Sequence, residues 1–227
     1  RSLEEFKRRL IEININLEII NTKSYKLFFE KLFKKKNISI YWNKTYEPNY
    51  LQFDKFLIKN FKIYKIDFQI FKGNILNETE EIKKNDGTPF KVFTPFWKNA
   101  ERIYLDKIPS IEKKIGKCKK KVNFFKENIS IDKILPEENW FNKFETHWLP
   151  TEESAERELK KFIKDNINNY AEARNFPSIK GTSKLSPFIK HGQIHVETIW
   201  DECIKVKNKG INKFLTEIGW REFNHSL

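Results

Sequence analysis

Ile38-Ser39-Ile40-Tyr41-Trp42, then Pro48 to about Asn60, then Ile63-Tyr64-Lys65-Ile66 with Phe68, is the run that decides the fold. The first segment is β-branched and aromatic with a polar residue between its apolar ones, which reads as a strand. Pro48 suits a first helical turn, and Leu51, Phe53, Phe56 and Leu57 supply an apolar helical face behind it. The third segment returns to a strand pattern. Strand, helix, strand at this spacing predicts parallel pairing, because parallel neighbours need a crossover of about a dozen residues. Upstream, Ser24 can cap a helix carrying Phe28, Phe29, Leu32 and Phe33, and Ile13, Ile15 and Leu17 alternate up to Ile19-Ile20 as a further strand. Ser2 with Glu5 forms a capping box ahead of Leu3, Phe6 and Leu10. The first third therefore reads as an α/β parallel-sheet portion, with more of the sheet expected before Arg1.

Downstream the pattern changes. Phe71 to Asn99 is rich in turns, including Asn85-Asp86-Gly87-Thr88-Pro89, and a helix is expected after Thr94-Pro95. Lys117 to Phe144, with Pro136, has little periodicity and high charge and reads as an interdomain crossing. From Pro150 onward every segment reads as helix. One helix carries Ala155, Leu159, Phe162, Ile163 and Ile167, a short one starts at Leu185-Ser186-Pro187, one runs from Val196 to Val206, and a last one starts near Asn212.

The chain has 227 residues and a formal charge of +13, from 44 Lys+Arg against 31 Asp+Glu. Most of the cations are Lys, and runs such as Lys34-Lys35-Lys36 and Lys117 to Lys121 read either as solvated surface or as steering toward a polyanion. No apolar run approaches the roughly 20 residues of a membrane-spanning helix. Cys118 and Cys203 are the only cysteines and neither has a metal-ligand neighbour, which excludes a disulfide scaffold. The histidines show no metal-ligand spacing, and no Ser/His/Asp triad or G-x-S-x-G elbow is present. Met is absent and the chain opens inside a helix-like run, so a fragment truncated at both ends is expected.

Two segments carry chemistry. Gly181-Thr182-Ser183-Lys184-Leu185-Ser186 brings N–H groups, hydroxyls and one cation to the start of a helix, as either an anion cradle or an ordinary cap. It lacks the spacing of a Walker loop. In the second, Glu217, Trp220 and Arg221 share a helical face three residues beyond Phe214. That face is either a Glu–Arg pair over a core indole or a platform on which Trp220 stacks a planar base while Glu217 accepts a ring N–H.

Taken together, several segments resemble the DNA photolyase/cryptochrome family. They are Gly87 to Lys98, Trp148-Leu149-Pro150, Tyr170 with Arg174-Asn175-Phe176-Pro177, Gly181 to Pro187, Gly192-Gln193-Ile194, and Glu217-Ile218-Gly219-Trp220-Arg221-Glu222-Phe223. The match is most like a class I cyclobutane pyrimidine dimer photolyase. The resemblance implies part of a Rossmann-like antenna domain (1–116), a linker (117–147) and part of an all-α FAD-binding domain (148–227). It implies that Tyr170, Thr182, Ser183, Lys184, Leu185, Ser186 and Phe214 contact FAD. It further implies that Arg174, Glu217, Trp220 and Arg221 contact damaged DNA, with Glu217 and Trp220 at the pyrimidine dimer. Glu47 would meet a folate (methenyltetrahydrofolate) antenna, and His195 stands where Ser is frequent, which should weaken a helix cap. The implied activity is light-driven dimer repair by electron transfer from reduced FAD, in a cytoplasmic, monomeric protein without metal. The alternatives are a cryptochrome-type blue-light photoreceptor without repair and a basic nucleic-acid-binding fragment without cofactor.

Overall fold

The structure is a computed structural model describing residues 2–35, 37–106, 115–119, 125, 129–134, 138, 140–206 and 208–227. Lys36, Lys120, Lys121 and Pro136, and much of the expected crossing at 117–147, lie outside the described residues. The chain divides into two compact units, one of residues 18–73 with 123–133 and one of residues 1–17, 74–122 and 134–227.

The first unit is built on strand–helix–strand. Helix α2 (Tyr25–Phe33) starts where the Ser24 hydroxyl accepts the Leu27 N–H, as its sequence predicts. Strand β1 (Ser39–Asn43) leads into helix α3 (Pro48–Tyr64), and strand β2 (Asp67–Phe71) returns beside β1. The pair is parallel, in register from Ser39 opposite Asp67 to Asn43 opposite Phe71. Ile40 and Trp42 on β1, and Phe68 and Ile70 on β2, point to the half-buried face. There Phe33, Leu57, Phe61 and Ile66 form a core joined by Phe29, Trp42, Phe53 and Phe68. The Trp42 indole N–H donates to Asp54 of α3 at 3.0 Å, which ties the crossover helix to its strand.

Two expectations change here. Ile63 and Tyr64 belong to α3 rather than to a strand, because the helix continues until Lys65 turns it with a left-handed φ of 55°. Residues 15–20 form no strand despite their alternation, although the Ile13 and Ile19 carbonyls accept the Cys118 and Ile129 N–H groups. Alternation marks a face, but a strand needs a regular ladder of backbone bonds.

Among the described residues of the second unit, the regular structure is helical apart from one isolated bridge, Lys83 to Pro89. Helix α1 (Ser2–Glu12) is tied to helix α5 (Glu152–Lys161) by the Arg9–Glu152 ion pair. Helix α4 (Phe93–Asp106) starts two residues before Pro95, which occupies a first-turn position where its missing N–H costs nothing. The α5 helix widens into a π turn at Phe162–Asn166 and tightens through Ile167–Asn169 into the short α6 (Tyr170–Ala173). Helices α7 (Ser186–Lys190), α8 (Val196–Ile204) and α9 (Lys209–Ser226) complete it. His195 caps α8 through Nδ1, which accepts the Glu197 N–H at 3.2 Å. The core gathers Leu159, Phe162, Tyr170, Leu185, Phe188, Ile199, Trp200, Cys203 and Phe214 around α9. Burial raises the Cys203 thiol to about 12, so it serves as a small apolar filler. Among the described residues no helix is long and apolar enough to cross a membrane, and no cluster of three or more His, Cys, Asp or Glu is arranged to hold a metal.

Candidate functional site

Helix α9 carries the candidate face, and α4 sets its position. A Cβ on Gly219 would stand 2.5 Å from the Trp97 ring, so only glycine lets α9 approach α4 this closely. That approach stacks Phe93, at the start of α4, on Trp220 with centroids 3.9 Å apart and planes 8° apart. Phe96 meets Phe223 at 5.2 Å on the next turn. Trp220 keeps 42% of its surface exposed. It is an aromatic platform, backed on one face and open at its edge.

One turn earlier, Glu217 is ion-paired with Arg174 at the end of α6 and with Lys213 at 3.1 Å. Partial burial pushes the Glu217 carboxyl up, but hydrogen bonds and charge from Arg174 and Lys213 outweigh it and hold the group below the usual carboxylate range. The Arg174 guanidinium is raised in turn, chiefly by its bond to Glu217. It also lies 5.6 Å over the Tyr170 ring. Tyr170 is buried edge-to-face against Phe162 and Phe214, at 5.5 and 5.3 Å, and burial raises its phenol.

The 181–186 loop passes beside α6. A Cβ on Gly181 would meet that of Ala173 at 2.5 Å, so the glycine brings the loop against the residue preceding Arg174. Thr182, Lys184 and Ser186 are exposed, Ser183 is half-buried and Leu185 enters the core. Lys184 adopts a left-handed φ of 54°, and the Ser183 hydroxyl accepts the Leu185 N–H at 3.4 Å. Because α7 is little more than one turn, any anion here would be met by the loop's own hydroxyls and ammonium rather than by a helix dipole.

The structure thus brings Tyr170, Arg174, Phe214, Glu217 and the 181–186 loop to one region. Arg221 goes elsewhere. Its Nη2 donates to the Asn74 carbonyl at 2.6 Å and its Nη1 to Glu222 at 2.8 Å, so its fork points into the protein. Phe214 is a core ring between Phe162 and Tyr170. Glu47 stands at the N-cap of α3, in the other unit. Two residues of the site escaped the sequence reading. Lys213 was accessible from its i, i+4 spacing to Glu217. Phe93 was not, because no local pattern links it to Trp220.

Residues 1–113 match the DNA photolyase family. The deoxyribodipyrimidine photo-lyase of Agrobacterium fabrum is 30% identical over 194 residues, covering 83% of this chain and 40% of that one. Both matches are likenesses to DNA photolyases over part of this chain. Two solved structures agree: a bacterial class III photolyase from Agrobacterium tumefaciens superposes with a TM-score of 0.83 at 24% identity, and a Synechocystis cryptochrome with 0.78 at 18%. Each covers 99% of this chain, which spans 48% of each. The expected fold class is borne out: an N-terminal, antenna-like parallel-sheet region is followed by a largely helical region of the superfamily's FAD-binding type. The expectation of a class I enzyme is overturned by the class III neighbour. The 181–186 loop and the 217–223 face that carried it are local constellations, and a match on them does not distinguish one class from another.

Proposed function

We propose that this chain supplies one wall of a flavin-dependent, light-driven lyase site acting on cyclobutane pyrimidine dimers in DNA. Within this reading, residues 1–116 are the antenna-type segment, 117–147 the connection and 148–227 the flavin-binding segment. The observation that carries it is the half-exposed Trp220, backed by Phe93, one turn from a Glu217 held ionised between Arg174 and Lys213. A flipped-out pyrimidine dinucleotide suits the half-exposed indole, and an acceptor-only carboxylate suits a pyrimidine ring N–H. Arg174 is placed to exchange its bond to Glu217 for a DNA phosphate, leaving Glu217 free for the lesion.

The residues present fit a dinucleotide cofactor at its phosphate end. Thr182, Ser183 and Ser186 offer hydroxyls and Lys184 an ammonium, on a loop that Gly181 holds beside Arg174. Bound reduced FAD would supply the electron that opens the cyclobutane ring. The chain's own part is to bind and orient: Lys184 neutralises phosphate charge, the hydroxyls donate to phosphate oxygens, and Tyr170 shares the core that Leu185 of the loop enters. A folate antenna near Glu47 belongs to the same reading.

The test uses the longer protein containing this chain, loaded with reduced flavin and given a dimer-bearing oligonucleotide under blue light. Restoration of the pyrimidines supports the lyase; unchanged dimers with flavin bound would sink it. That second outcome is what a blue-light photoreceptor predicts, a reading favoured by the likeness to the Synechocystis cryptochrome. The 227-residue chain alone is expected to retain FAD weakly, and stoichiometric flavin after gel filtration would contradict this.

A further inference from the structure

One irregular segment, Asn74 to Asn77, holds four helices at once. The Asn74 amide donates to the carbonyls of Ile189 and Ile194, at 2.8 and 3.3 Å, and its Oδ1 accepts the Val196 N–H at 2.8 Å. The Asn77 amide donates to the Ala100 carbonyl of α4 at 3.1 Å. Helix α9 enters this knot through Arg221 and Glu222. Arg221 donates to the Asn74 carbonyl, and Glu222 accepts the Leu76 N–H at 2.7 Å, the Asn77 N–H and Arg221. Ile75 and Leu76 are almost wholly buried, and Glu222 is only 5% exposed.

We infer that Glu222 is a positioning residue: through the 74–77 segment it fixes α9 against α4 and thereby sets the Trp220–Phe93 stack. The physical reason is acceptor count. An ionised carboxylate offers only acceptors, which suits two backbone N–H groups and a guanidinium, whereas the protonated group turns one acceptor into a donor that finds donors facing it. Within the knot, hydrogen bonding is therefore most complete with Glu222 ionised. Burial works against that state and raises the group to about 7, although Arg221 and the Leu76 and Asn77 N–H groups pull it down. The other groups around it are His225 on its own helix, lowered by burial and by Arg221 and Lys190, and Tyr104 of α4, raised by burial and by Glu197, Asp201 and Glu222. Near neutrality, gaining or losing one proton thus alters the hold on the helix that presents Trp220.

This inference rests on reading Trp220 as the ring that meets a ligand, so its test uses neither flavin nor DNA and fails or succeeds apart from repair. Indole N–H resonances of the 227-residue chain are followed from about pH 5 to about pH 9, with Trp220 assigned by Trp220→Phe. The Trp220 resonance should shift with a midpoint of about 7. The shift should vanish in Glu222→Gln, persist in His225→Gln, and persist with a displaced midpoint in Glu222→Asp. A Trp220 signal that does not titrate, or titrates unchanged in Glu222→Gln, would overturn it. Should the Gln variant not fold, loss of the titration in His225→Gln would overturn it equally.

Discussion

Helix α9 offers two arginine–glutamate pairs with opposite fates. Glu217 and Arg174 meet at a partly exposed rim, where Lys213 adds a second cation and the carboxyl is lowered. Glu222 and Arg221 meet in the interior, where burial raises the carboxyl to about 7 despite three donors. Two glutamates five positions apart on one helix make a lowered carboxyl at the rim in one place and a structural knot in the other. Solvent decides: where water still screens, neighbouring cations win, and where it is excluded, desolvation wins.

The largest effect should come from breaking the interior pair. Glu222→Ala leaves two buried N–H groups and a guanidinium without their acceptor, and should lower unfolding stability by about 3–5 kcal/mol in denaturant titration. A loss no greater than that of Glu217→Ala would erase the contrast. Glu222 also has a pH signature. Its folded value lies above the ordinary 4.5, so its favourable contribution is complete below about 4.5 and is lost as pH rises through about 7. Glu222→Gln should remove that slope from a series of thermal melts.

Next in size is the approach of α4 to α9. Gly219→Ala forces a methyl into the Trp97 ring and should cost about 1–3 kcal/mol, with a change in the Trp220 environment visible by fluorescence. Unchanged stability would mean that the two helices separate without penalty. Smallest is the rim. Glu217→Gln should cost about 1 kcal/mol or less, because the pair is partly screened. Its pH signature runs the other way: the Glu217 contribution is present above about 4.5 and is lost as pH falls through its lowered folded value. Stability curves in which both glutamates gave slopes of the same sign would contradict the comparison.

The strand–helix–strand core was legible because each element announces itself locally. Pro48 opens α3, Ser24 caps α2, and the aromatic alternation of 38–42 marks β1. The element ends were less so: α3 overran the expected strand by two residues, since Ile63 and Tyr64 fit either period. The run at 13–20 shows the limit, for its alternation is real while its residues form no strand. At the site, Glu217 and Trp220 stood out by i, i+3 spacing, yet the same spacing suggested Arg221 as their companion. The guanidinium turned instead to Asn74, a contact with no local trace.

By itself the sequence determined the helices, their caps, the parallel pair and the residue types of the candidate face, because these follow from short-range periodicity and side-chain chemistry. Only the tertiary structure decided which carboxyl is lowered and which raised, which arginine turns to Asn74 and which ring backs Trp220. Those outcomes depend on burial and on neighbours far apart in the chain, and residues 74–77, irregular and unremarkable as sequence, become the segment on which four helices are hung.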